Sequence, residues 1–114
     1  MNIDEWRSQI KRGTLEFGIL LLIEKKPRYG YELISCLERS PMLSTKESTV
    51  YPLLRRLQKD GCLTSFWQET AEGLPPRKYY TITDAGREYL EAMRSEWREL
   101  CETIEGLERG DDNE

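Results

Sequence analysis

Two clusters of side chains in this 114-residue chain carry groups suited to holding a polyanion. The first, between Lys46 and Arg56, sets Ser48, Thr49 and Tyr51 beside Pro52, Arg55 and Arg56. The second is the pair Arg77-Lys78, directly after Pro75-Pro76. Hydroxyls and short side chains near a helix start can reach base edges or admit a phosphate closely. Arg and Lys further along neutralise phosphate charge. The pair Arg55-Arg56 alone says little, since basic pairs on helices are commonly solvated surface. Joined to a second pair at a hairpin tip, it points to nucleic acid. Tyr51 has two readings of equal weight, a groove-facing ring or a core ring.

Catalysis finds little to work with. The chain has no histidine, which removes the commonest general base and metal ligand. It has no Gly-rich phosphate loop and no GxSxG elbow, and its carboxylates fall mostly on solvent faces of the last helix. Cys36, Cys62 and Cys101 are odd in number, widely spaced and without a CxxC pair, so neither a disulfide framework nor a zinc knuckle is expected. No enzyme activity, cofactor or metal follows.

The elements that must position these groups can be read from periodicity. Ile3, Trp6, Ile10 and Phe17 share a helical face, and Leu15 to Ile23 adds a fuller apolar surface, giving one helix or two abutting ones up to Pro27. Gly13, on that stripe, could admit a neighbouring helix or mark a break. A second helix spans about Tyr29 to Arg39, with Leu33, Ile34 and Leu37 inward. A third reads from Ser44 to Asp60 on Val50, Leu54 and Leu57, stopped by Gly61. Its start is open, because Ser44 fits a capping box, Ser48 could also cap, and Pro52 suits only a first turn. Two strands, Cys62–Glu69 and Lys78–Thr83, flank a Gly-Pro-Pro loop. Alternation turns Tyr80 and Ile82 inward and Tyr79 and Thr81 outward. Thr83 is a suitable N-cap for a last helix to about Glu105.

Helix, helix, helix, strand, strand, helix is the order of an α+β, mostly α, winged helix-turn-helix with a C-terminal dimerisation helix. In that architecture the third helix enters a DNA major groove and the hairpin loop reaches the backbone or minor groove. The expected division is residues 1–83 as the DNA-binding unit, 84–106 as a dimerisation helix packed on the first helix, and 107–114 as an acidic flexible tail. Charge follows the same division: residues 1–83 hold 13 Lys/Arg against 10 Asp/Glu (+3) and residues 84–114 hold 4 against 11 (−7), summing to −4. An acidic whole therefore does not exclude an anionic partner for the first part. The longest apolar run, Phe17 to Ile23, is too short to span a bilayer, and the N-terminus lacks a signal layout. The expected location is the cytoplasm.

Three blocks, "GTLEFGILLLIEKKPRYGYEL", "STVYPLLRRLQKDGCLTSFW" and "PPRKYYTITDAGREYL", resemble in order and spacing the signature blocks of the PadR family of bacterial transcriptional repressors. The likeness covers about residues 10–90. It implies a homodimeric repressor on a pseudo-palindromic operator in double-stranded DNA. By motif position, Lys46, Ser48, Thr49, Tyr51, Pro52 and Arg55 become the groove-facing set and Arg77 and Lys78 the wing contacts. The same fold used as a protein–protein adaptor is the alternative.

Dimerisation also has its own signal. Leu90, Met93, Trp97, Leu100, Ile104 and Leu107 are spaced 3, 4, 3, 4 and 3, an a/d stripe. It could pack on the chain's own first helix or on a second copy. The expected interface is mixed, with Ile3, Trp6 and Ile10 of one subunit against the last helix of the other. Multidrug-responsive relatives resemble this chain in placing a tryptophan on that helix. Trp97, with Met93, is therefore a candidate site for a small planar aromatic effector, or equally plain interface core.

Overall fold

The structure, a computed structural model, describes residues 1–110. Helix α1 spans Ile3–Lys25 without interruption, so Gly13 does not break it. Asn2 caps its start by accepting from the Asp4 N–H, Asp4 and Glu5 lie in its first turn and Lys25 in its last. All of these complement the helix dipole. Strand β1 (Arg28–Tyr29) follows, then α2 (Gly30–Leu37), α3 (Glu47–Lys59), β2 (Leu63–Gln68), β3 (Arg77–Ile82) and α4 (Asp84–Arg109).

The sheet is antiparallel in the order β1-β3-β2. Its outer strand β1 is an addition to the expected pair: Arg28 faces Tyr80 and Tyr29 faces Tyr79. Two residues cannot declare a period, and they become a strand only because β3 offers a free edge. That strand takes Tyr29 out of α2, which therefore starts at Gly30. In β3, Tyr80 and Ile82 point inward and are buried, while Tyr79 and Thr81 are half-buried on the other face, as the alternation requires.

Leu20, Ile23, Leu33, Val50, Leu54 and Leu57 are among the side chains that fill the centre, drawn from three helices. Each fully buried Leu or Ile contributes about 2 kcal/mol by leaving water. The turn after α3 follows the Gly61 expectation. Gly61 has φ +84°, the Gly61 N–H donates to the Gln58 carbonyl and the Cys62 N–H to the Leu57 carbonyl, a paired C-terminal cap. Thr83 then caps α4 by accepting from the Gly86 N–H at 3.0 Å, and its hydroxyl donates to the Gly61 carbonyl at 2.6 Å. One residue thus fastens the end of the hairpin to the end of α3. Gly86 is required there, since a Cβ would lie 2.2 Å from the Cys62 carbonyl oxygen.

Helix α4 continues through Gly106 to Arg109, and Gly110, at φ +83°, caps it. An interior glycine weakens a helix by about 1 kcal/mol without ending it. Of the expected 107–114 tail, Leu107–Arg109 are therefore helical, and positions 111–114 lie outside the described residues. The helix is tied to α1 by the Arg94 guanidinium, which grips Glu24 and also bonds Glu91 at 2.9 Å, and by the Phe17 and Trp97 rings, 6.1 Å apart. Leu90 departs from the dimer stripe. It is 0% exposed within the single chain, because it sits on the stretch of α4 that closes the chain's own core. It has no surface left to offer a second subunit.

Candidate nucleic-acid interface

Helix α3 buries Val50, Leu54 and Leu57 and turns Ser48, Thr49, Pro52, Arg55 and Arg56 to solvent. Its N-cap is Lys46, with extended backbone and no side-chain cap. Neither Ser44 nor Ser48 caps it, so the start falls between the two expected places. The Thr49 and Val50 N–H groups both donate to the Lys46 carbonyl. Pro52 lies inside the helix, one turn beyond the position proline favours. It cannot donate to the Ser48 carbonyl. Glu47, in the first turn, accepts a hydrogen bond from the Tyr31 hydroxyl, and that bond and Glu47's charge raise the Tyr31 pKa.

Tyr51 takes something from each of its two readings. Its ring packs on Gly30, where an added Cβ would come within 2.3 Å of the hydroxyl oxygen, and burial together with the Glu47 charge pushes its pKa up. The same ring lines a cleft of about 610 Å³ with Trp67, Arg77 and Lys78. Tyr51 is therefore the α3 residue that shares this cleft with the wing's aromatic and basic side chains.

The wing differs from expectation in one respect. Arg77 and Lys78 are not at its tip; they open β3, opposite Gln68 and Trp67. Eight residues, 69–76, lie beyond them. That loop carries Glu69 and Glu72 and no cation, turns at Gly73 with φ +83°, and is closed by the Thr70 hydroxyl donating to the Pro75 carbonyl at 3.0 Å. The two cations are held on aromatic faces. Arg77 lies 4.6 Å from the Tyr29 ring centre, and Lys78 lies 6.0 and 5.6 Å from those of Trp67 and Tyr80. Such stacking fixes a cation's position without neutralising it.

Arg55 is exposed with no ion pair among the described residues, whereas Arg56 bonds Glu16 of α1 at 3.3 Å. Part of the Arg56 charge is thus spent on holding α3 to α1. Sequence reasoning missed Lys11 and Arg12, which the fold brings to the same concavity as Lys46 and Thr49. Their only sequence signal was a basic pair on the polar face of the first helix. The Cys62 thiol is buried and its pKa is pushed up, chiefly by desolvation, which is the reverse of a reactive thiolate. No cluster of potential metal ligands occurs among the described residues.

Three helices and a two-stranded wing carried on a three-stranded sheet define a winged helix-turn-helix fold, the architecture of many DNA-binding proteins. The sequence profile of the "Transcriptional regulator PadR-like family" matches residues 19–92, and the chain belongs to that family of DNA-binding transcriptional regulators, which are not enzymes. It is 31% identical over 94 residues to the "Negative transcriptional regulator PadR" of Bacillus subtilis (strain 168), covering 80% of this chain and 50% of that protein. It thus spans half the length of that relative. A PadR-like regulator from Bacillus cereus has 37% identity and a TM-score of 0.78, covering 87% of this chain and 95% of that one. A PadR family regulator from Eggerthella lenta has 33% identity and a TM-score of 0.81, covering 92% and 90%. No helix among the described residues is long and apolar enough to cross a membrane.

Proposed function

We propose that the chain is a cytoplasmic repressor that acts as a homodimer on a pseudo-palindromic operator and responds to a small planar ligand. The observation that carries DNA reading is the outward face of α3, with Ser48, Thr49 and Arg55 exposed beside a wing whose two cations are pre-positioned on aromatic rings. Thr49 and Ser48 read base edges, Arg55 and Lys46 hold phosphates, and Arg77 and Lys78 hold the backbone on the wing side. The acidic loop beyond them is repelled by phosphates, so the wing lies along the backbone rather than deep in the minor groove.

The homodimer is supported by an apolar face left open on one subunit. Ile3, Trp6, Trp97, Leu100 and Ile104 are all exposed along α1 and α4, and clustered exposed apolar side chains of this kind mark interaction surfaces. A two-fold pair would set its reading helices about 34 Å apart, one turn of DNA. Ligand response is supported by a groove of about 570 Å³ on this face, with Phe17, Met93 and Trp97 on its walls. Quenching of tryptophan fluorescence by planar cationic drugs or phenolic acids should vanish in a Trp97 variant, and quenching by no ligand at all would leave Trp97 as interface core.

The salt dependence of DNA binding tests the reading as a whole. Affinity for a duplex selected from a random pool should fall with a log-log slope of several units. A flat slope, or no preference over unselected duplex, favours a protein adaptor and removes the repressor.

A further inference from the structure

A concavity of about 1060 Å³ lies between α1 and α3. It runs along the flank of α3 that carries Thr49, Leu53 and Arg56, across the helix from the Tyr51 flank that meets the wing. Four cations line it: Lys11 and Arg12 from α1, Lys46 from the start of α3, and Arg56. Two carboxylates, Glu16 and Glu38, share the lining, and Glu16 is already bonded to Arg56. Lys11 donates to the Ser44 carbonyl at 2.7 Å, across 33 residues of sequence. This bond fixes the register of α1 against the turn that leads into α3. Arg12 and Lys46 are exposed, and neither side chain has an ion pair or hydrogen bond among the described residues.

We infer that this trough holds the sugar-phosphate backbone of the DNA strand that passes α3 on the side away from the wing, with Arg12 as its principal phosphate contact. The inference rests on the DNA-binding reading and extends its footprint to α1. The trough has hydroxyls, four cations and two carboxylates in its lining and no aromatic ring, and it is continuous with the outward face of α3 through Thr49. Those features suit a passing backbone better than an enclosed small molecule. Charge accounting points the same way. Each wing contributes two cations and an acidic loop, so a second set on the opposite flank balances the grip on the two strands. Two exposed cations held on separate elements, 34 positions apart, are an arrangement that sequence spacing does not reveal.

The test is a salt titration of Arg12→Ala and of Arg77→Ala on the duplex selected with the wild-type protein. Arg12→Ala should bind about tenfold more weakly, as expected for loss of charge-assisted hydrogen bonds. Its log-log salt slope should drop by about two, one phosphate for each of two subunits, with sequence preference unchanged. Circular dichroism confirms that the variant is folded, and Arg12→Lys should recover most of the affinity. Wild-type affinity and slope in Arg12→Ala, alongside a loss in Arg77→Ala, overturn the trough while leaving the repressor intact. That outcome would leave the groove for an acidic protein segment. A change of sequence preference in Arg12→Ala also overturns it, because a backbone contact carries no base information. If the wild type itself shows no salt-dependent preference, the repressor reading fails, and the inference falls with it.

Discussion

Thr49 and Arg77 hold different chemical positions, and single substitutions separate them. Thr49 is exposed near the open end of α3, where the proposed reading sets its hydroxyl against base edges. Arg77 is a guanidinium held over Tyr29, where the proposed reading gives it backbone contacts alone. Arg77→Ala should weaken binding to every duplex by a similar factor, about tenfold, and lower the salt slope, whereas Thr49→Ala should change which duplex is preferred. Competition titrations against a panel of single-base variants distinguish the two, and identical profiles would contradict the division. These residue types were legible in the sequence because a helix period and a hairpin alternation put them on solvent faces. The aromatic rings beneath the cations were not, since Tyr29 reaches Arg77 only through the strand that follows Pro27.

At the scale of elements, α1 is the piece that everything else is fastened to. It receives α3 through Glu16, the turn before α3 through Lys11, and α4 through Glu24. The last of these has a pH signature. Hydrogen bonding to Arg94 holds the Glu24 carboxyl below its ordinary value, opposed in part by burial. A carboxylate whose pKa is lower folded than unfolded stabilises the fold fully above its unfolded value. That contribution is lost as pH falls through the folded one. Thermal melts taken from neutral pH down to about pH 3 should therefore show a smaller acid-induced loss in Glu24→Gln than in wild type. The neutral-pH cost of the variant should stay within about 1 kcal/mol for a pair this exposed. Superimposable acid limbs would show that the bond does not couple to folding.

The whole molecule is elongated, with extents of 65 × 34 × 20 Å. The shape follows from α4, whose 26 residues reach about 39 Å at 1.5 Å per residue. The rest of the chain covers only the first part of this helix. Burial accordingly fades along it, from Leu90 at 0% exposed through Trp97 at 41% to Ile104 at 53%. The exposed half is what a second copy would cover. Trp97→Asp should put a carboxylate into that face and give a monomer by sedimentation, with DNA affinity lowered by at least tenfold because two half-sites are no longer joined. A dimer that survives the substitution would move the interface elsewhere.

The sequence by itself determined the order of the four helices and the two wing strands, the inward faces of α3 and β3, the Gly61 stop and the Thr83 cap. Each rests on contacts or geometry within a few residues, where period and backbone preference act directly. Tertiary structure alone decided that Tyr29 joins the sheet, that Arg77 and Lys78 sit at the base of the eight-residue wing loop rather than at its tip, that Leu90 belongs to the core, and that Arg12 and Lys46 line one concavity. Those outcomes depend on which distant surfaces meet, and pairing across tens of residues leaves no local mark in one chain's sequence.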